Sequence, residues 1–201
     1  MTSYKRVKYQ GRPTFSQFQS HLDLAHKYWE EILKQGGWAI DATCGNGHDT
    51  LFLAQAADGV IGLDIQENAL QITRSLLKEA KADLEKVHLF CQSHETFPLL
   101  ASNYPIPLIV YNLGYLPGGN KDLTTQTDTT LKSISNGLSL LVPGGALSIT
   151  CYPGHPEGEK EEKAIGQFAQ NLPPHIWSVC FHQWKNRKQS PSLFLIQKKI
   201  M

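Results

Sequence analysis

Trp38-Ala39-Ile40-Asp41-Ala42-Thr43-Cys44-Gly45-Asn46-Gly47-His48-Asp49-Thr50 is the stretch on which the reading of this chain turns. A short apolar run meets an acid, bends through two glycines and then becomes the start of a helix. Strand, tight turn and helix N-terminus in that order form a cradle for nucleotide-like ligands. Glycines allow close backbone approach, and the first amides of a helix have no partner within it. A second strand, Val60-Ile61-Gly62-Leu63, ends in Asp64. A carboxylate at that place suits a ribose, because it can accept hydrogen bonds from two hydroxyls.

Outward from this stretch the chain has an ordinary globular balance. With 201 residues, 41% hydrophobic and 18% charged, it is expected to form a single unit with a sizeable core. No apolar run reaches about eighteen residues, so no transmembrane helix and no membrane partner are expected. Lys5, Arg6 and Lys8 are not followed by an apolar segment, which argues against a signal peptide. Cys44, Cys91, Cys151 and Cys180 are far apart and form no C-x-x-C pair, so neither a zinc site nor a disulfide framework is expected. A cytoplasmic location fits that cysteine usage.

A net charge of +1 gives no bulk argument for nucleic acid, but its distribution does. Lys5, Arg6, Lys8 and Arg12 stand at one end, and Lys185, Arg187, Lys188, Lys198 and Lys199 at the other, with no acid among their neighbours. Such ends either attract phosphates or are simply solvated termini.

Apolar residues at Phe15, Phe18, Leu22, Ala25, Trp29, Ile32 and Leu33 predict an amphipathic helix over 15–34, stopped by Gly36-Gly37. Strands are expected at Trp38–Asp41, Val60–Asp64, Val87–Cys91, Pro107–Tyr111 and Ala146–Tyr152, the last following a Pro143-Gly144-Gly145 turn. Helices are expected over Asp49–Ala57, Gln66–Lys81, a segment through Leu131 and Leu141, and Glu159–Gln170. Trp177–Trp184 and Leu193–Gln197 read as a closing hairpin. Alternating strands and helices imply an α/β fold, a parallel sheet covered on both faces. The division expected is residues 1–35 as an N-terminal extension with its helix, and 36–201 as the ligand-binding domain.

Three details choose among ligands. Thr50 stands where the dinucleotide fingerprint G-x-G-x-x-G wants its third glycine. Asp41 would repel a pyrophosphate but suits a ligand with positive charge, such as an amino group or a sulfonium. Leu140-Leu141-Val142-Pro143-Gly144-Gly145 precedes the fifth strand, and a hairpin ends the chain. Over residues 36–199 the sequence resembles the class I S-adenosylmethionine-dependent methyltransferases. That resemblance implies a Rossmann-like seven-stranded sheet, mostly parallel with an antiparallel C-terminal strand, here with an added N-terminal helix. It also implies S-adenosyl-L-methionine as cofactor. Asp41, Gly45, Asn46, Gly47 and His48 would lie at its methionine end, Asp64 on the ribose, Gln66 on the adenosine, and Ser93 and His94 beside the adenine. Ser93 reads equally well as the N-cap of a short helix through Leu100, and Cys44 as a small filler of the turn.

The acceptor is expected beyond the fourth strand, where Asn112-Leu113-Gly114-Tyr115 has the spacing of the Asn-Pro-Pro-Tyr motif of amino-directed methyltransferases. The Gly45 turn, Asp64-Ile65-Gln66, Asn112 through Gly119 and Gly154-His155-Pro156-Glu157-Gly158 together resemble the family labelled rRNA methylases. Members of it methylate the aminomethyl group on the wobble uridine of tRNA, giving 5-methylaminomethyl-2-thiouridine. The resemblance implies Asn112 orienting the amine, Tyr115 against the uracil ring, and His155 or His94 taking a proton. It implies the tRNA anticodon loop as partner, its stem phosphates held by the basic ends. Tyr152-Pro153-Gly154-His155, in place of Tyr-His-Gly-His, and the added N-terminal helix depart from the pattern. Oligomeric state is not legible, and a homodimer stays open. Methylation of rRNA or of a small amine is the alternative within the class. A dinucleotide-dependent oxidoreductase and a non-catalytic RNA-binding module lie outside it.

Overall fold

The structure, a computed structural model, describes residues 20–115 and 124–200. Seven strands lie side by side in the order β3-β2-β1-β4-β5-β7-β6. They are β1 (Trp38–Asp41), β2 (Gly59–Asp64), β3 (Val87–Cys91), β4 (Ile106–Asn112), β5 (Leu141–Cys151), β6 (Trp177–His182) and β7 (Ser192–Lys198). β1 through β5 run parallel, and β7 is antiparallel to both β5 and β6. From β1 the chain moves outward through β2 and β3, then returns to β4 on the other side of β1. A crevice therefore opens above the carboxyl ends of β1 and β4, where sheets of this kind bind ligands.

Five helices cover the sheet: α1 (His21–Leu33), α2 (His48–Ala56), α3 (Glu67–Glu79), α4 (Thr127–Leu140) and α5 (Pro156–Gln170). Side chains alternate across the sheet with a period of two, so each strand serves two cores. Ala39, Leu108, Val110, Ala146 and Leu193 meet Ala25, Trp29, Ile32 and Leu33 of α1 and Leu53 of α2. Ile40, Ile109, Tyr111, Leu147 and Ile149 face the other way, onto Ile134 and Leu138 of α4 and Ile165 and Ala169 of α5. α3 packs beside β2, β3 and α2.

The α/β class, the seven strands and the antiparallel C-terminal strand match the expectation from sequence. Two boundaries differ. α1 begins at His21, where Ser20 caps it by accepting from the Asp23 amide at 3.0 Å; residues 15–19 of the expected helix lie outside the described residues. Pro143-Gly144-Gly145 is a kink inside β5 rather than a turn before it. Leu141 already pairs with Ile106, the register slips across Gly144 (φ 79°), and Ala146 resumes opposite Leu108. Any side chain on Gly145 would meet the Pro107 carbonyl at 2.9 Å. α1 shares its core with β1, β4, β5 and β7.

Candidate active site

β1 ends in Asp41, only 1% exposed, with its carboxylate beneath the turn that follows. Oδ1 accepts from the Thr43 amide at 3.1 Å and Oδ2 from the Thr50 hydroxyl at 2.6 Å. Burial, and after it the neighbouring Asp49, push its pKa up to about 7. Thr50, which spoils the dinucleotide fingerprint, is thus the residue that ties Asp41 to α2. Asp41 is held beneath the turn by Thr43 and Thr50.

The turn itself needs its glycines. Gly45 (φ 52°) and Gly47 (φ 80°) lie in the left-handed region, and a Cβ on Gly47 would sit 2.8 Å from Thr73 of α3. Gly47 is the N-cap of α2 and no side chain closes that helix start, so its first amides are turned to the crevice edge beside exposed His48 and half-buried Asn46. Cys44 is a buried filler whose thiol pKa is raised well above its usual value by burial.

Asp64 clamps this turn from β2. Oδ2 accepts from the Gly45 amide at 2.9 Å and Oδ1 from the Gln66 amide at 2.8 Å. Each oxygen keeps a further lone pair, which is what a ribose diol would use. Burial raises its pKa while the two amides oppose that shift. Ile65, 53% exposed between Asp64 and Gln66, adds an apolar surface suited to the face of a purine.

On the other side of the crevice stands Asn112, the last residue of β4. Its backbone amide donates to Thr43 Oγ1 at 2.7 Å, joining the ends of β1 and β4. Its side-chain Nδ2 donates to Asp49 Oδ2, and the Tyr152 hydroxyl reaches its Oδ1 at 3.4 Å. Asp49 Oδ1 in turn lies 3.0 Å from His26 Nε2, and the His26 ring stacks on Phe52 at 4.1 Å. His21 Nε2 lies 3.1 Å from the Tyr152 hydroxyl. Side chains from α1, α2, β4 and the β5–α5 loop therefore converge on one amide.

Of the expected aromatic and imidazole groups, Tyr115 is 38% exposed, pairs through its backbone with Thr124, and lies with its ring 5.8 Å from that of His155. The Leu116-Pro117-Gly118-Gly119 part of the motif lies outside the described residues. His155 is the N-cap of α5, and its Nδ1 accepts from the Gly158 amide at 3.1 Å. Its one neutral lone pair is thereby used, which leaves Nε2 as a donor, not a base. His94 turns away from the crevice: it is buried, its Nε2 meets Thr130 of α4 at 3.4 Å, and burial pushes its pKa down to about 4. Ser93 accepts from the Glu95 amide at 3.1 Å, and the short 3-10 turn at Leu99–Asn103 starts instead from Pro98.

Sequence reasoning missed His21, His26 and Tyr152, and quoted Asp49 and Thr43 without giving them a role. His21 and Tyr152 are 131 positions apart, so no local pattern relates them. The available signal was two histidines bordering the apolar stripe of a helix already expected to pack on the sheet. Registers also sort the basic C-terminal residues. Cys151 pairs with Ser192 and His182 with Leu193, so the turn bearing Lys185, Arg187 and Lys188 leaves the sheet at the crevice edge. The Arg187 guanidinium lies 4.5 Å over the Trp184 ring there. Lys198 is at the opposite edge, donating to the Leu141 carbonyl at 2.7 Å.

Over residues 60–198 the chain matches the family described as "Putative rRNA methylase". It is 37% identical over 188 residues to the tRNA (mnm(5)s(2)U34)-methyltransferase, chloroplastic, of Arabidopsis thaliana, a span of 88% of this chain and 69% of that protein. A Streptococcus mutans structure, described as a "putative methyltransferase" in complex with SAH, is 34% identical, with TM-score 0.78 and 88% and 97% of the two chains covered. A Clostridium thermocellum structure described as a "putative rRNA-methylase" superposes with TM-score 0.82 at 29% identity, covering 90% of this chain and 98% of that one.

Proposed function

Because the chain belongs to this rRNA-methylase family, we propose that it is an S-adenosyl-L-methionine-dependent N-methyltransferase. Its substrate in this reading is the 5-aminomethyl group of the wobble 2-thiouridine in the tRNA anticodon loop, and its product 5-methylaminomethyl-2-thiouridine. The observation that carries the reading is Asn112, an amide held in one orientation by Asp49 and Tyr152 at the crevice, in a chain 37% identical to a tRNA methyltransferase.

The residues present fit the cofactor. Asp64 would take the ribose, the Gly45–Gly47 turn and the open start of α2 the methionine end, and Ile65, Gln66 and Ser93 the adenosine. When bound, the cofactor supplies an electrophilic methyl group. The protein's own task is to present a neutral amine in line with it and to exclude water. Asn112 Oδ1 would accept an amine hydrogen, and Tyr115 would lie against the pyrimidine. A wobble base in a single-stranded loop can be splayed onto an aromatic ring without opening a duplex. Lys185, Arg187 and Lys188 would hold stem phosphates beside the crevice, whereas Lys198 and Lys199 are on the wrong edge for that. His94 packs against Thr130 of α4, and the Nδ1 of His155 accepts from the Gly158 amide.

The test is methyl transfer from labelled cofactor to tRNA isolated from cells lacking this activity, with the nucleosides read by mass spectrometry. Conversion of aminomethyl- to methylaminomethyl-2-thiouridine is expected. Label appearing only in ribosomal RNA, the second reading that the family's description keeps open, would overturn the choice of substrate.

A further inference from the structure

We propose that Tyr152 and His21 form a two-step proton acceptor beside Asn112, which makes α1 part of the catalytic machinery and not merely a cover for the sheet. The inference rests on the reading of an amine acceptor given above. An aminomethyl group is largely an ammonium at neutral pH and has no lone pair until a proton leaves. The Tyr152 oxygen lies 3.4 Å from Asn112 Oδ1 and 3.1 Å from His21 Nε2, and the two rings stand at 87° with centroids 5.6 Å apart. One phenolic proton thus has two acceptors within reach. When the oxygen receives a proton from the amine side, its own proton can pass to the imidazole.

Three of the other histidines are engaged, while His48 is exposed at the start of α2. His155 uses its lone pair on the Gly158 amide, His94 is buried against α4, and His26 is paired with Asp49 and stacked on Phe52. The groups facing His21 are Asp23 on its own helix, Asp49 from α2 and Tyr152 from the β5–α5 loop. Burial lowers its pKa, against the pull of Asp49 and Asp23, so the ring enters the reaction neutral.

In the step, one N–H bond of the ammonium breaks and its proton joins Tyr152 Oη, while the phenolic proton moves to His21 Nε2. The net change is one proton from substrate nitrogen to imidazole. The electron pair left on nitrogen forms the new N–C bond, and the pair of the broken C–S bond stays with sulfur. His21 then returns its proton to solvent.

The test compares wild type with His21→Gln, Tyr152→Phe and the double variant in single-turnover assays on aminomethyl-tRNA, between about pH 6 and 9. Each single variant should lose roughly a hundredfold in rate near pH 7, with cofactor affinity by calorimetry and tRNA affinity within about twofold. The double variant should be no slower than the singles, and the loss should shrink as pH rises and free amine becomes abundant. Imidazole should restore part of the rate of His21→Ala. Imidazole NMR of the protein alone should show His21 neutral at pH 7 and its titration displaced by Tyr152→Phe. Near-wild-type rates, additive losses, a loss constant with pH, or a charged His21 at pH 7 would each overturn the pair. Wild-type enzyme inactive on this tRNA would overturn the reading of the substrate and the pair with it.

Discussion

Asn112 and Asp64 divide the crevice between them, and their substitutions should separate cleanly. Asp64 touches Gly45 and Gln66 through backbone amides, so Asp64→Ala removes both the ribose acceptors and the clamp on the turn. Cofactor affinity measured by calorimetry should fall more than about tenfold, because hydrogen bonds to a charged group are lost. Asn112→Ala should leave that affinity nearly intact and lower kcat by about a hundredfold or more, because it withdraws the acceptor of the amine hydrogens. Parallel loss of both properties would make Asn112 a structural residue. Asp41 gives a pH signature. Its folded pKa, about 7, is raised above the unfolded value, so it favours folding below the carboxylate range and that contribution is lost as pH rises through about 7. Asp41→Asn removes the charge, keeps an oxygen for the Thr43 amide and offers the Thr50 hydroxyl a donor in place of an acceptor. Its melting temperature should therefore gain on that of wild type as pH is raised from about 5 to 8, and a difference independent of pH would contradict the burial argument.

Among the elements, α1 is the one whose meaning changes most between sequence and structure. Its stripe of Ala25, Trp29, Ile32 and Leu33 is legible as an apolar helix face, and it does pack on the sheet as such. Trp29, 1% exposed and flanked by His26 and Phe52, should cost about 3–5 kcal/mol when truncated to Ala, read by denaturant unfolding. What periodicity does not show is that the polar border of that stripe, His21 and His26, reaches across to Tyr152 and Asp49. Periodicity finds the face that leaves water, because hydrophobic burial is local in pattern. Polar contacts between distant segments depend on strand order and register, and no window of sequence contains those. The glycine turn is readable for the opposite reason, since its backbone constraints, two left-handed residues and a helix start, lie within a few neighbours. A strand-end acid looks the same in sequence whatever it faces, so the bond from Thr50 to Asp41 is not legible there. Pro-Gly-Gly signals a turn and a kink alike, so sequence does not separate the two at β5.

For the whole molecule, the sheet sets which charges can meet an RNA held at the crevice. Replacing Lys185, Arg187 and Lys188 with Gln should raise KM for tRNA about tenfold and flatten its dependence on salt, leaving cofactor affinity unchanged, since phosphate contacts release counterions. Lys199→Gln, at the far edge, should alter neither; equal effects of the two would mean that the charges act only in bulk. The same long-range assembly has a consequence in time. Asp64 and the Gly45 turn are complete early in synthesis, but Asn112 receives Tyr152, and Tyr152 receives His21, only after three quarters of the chain has been made. The orientation of the Asn112 amide is therefore completed by a residue made long after the Asp64 side of the crevice.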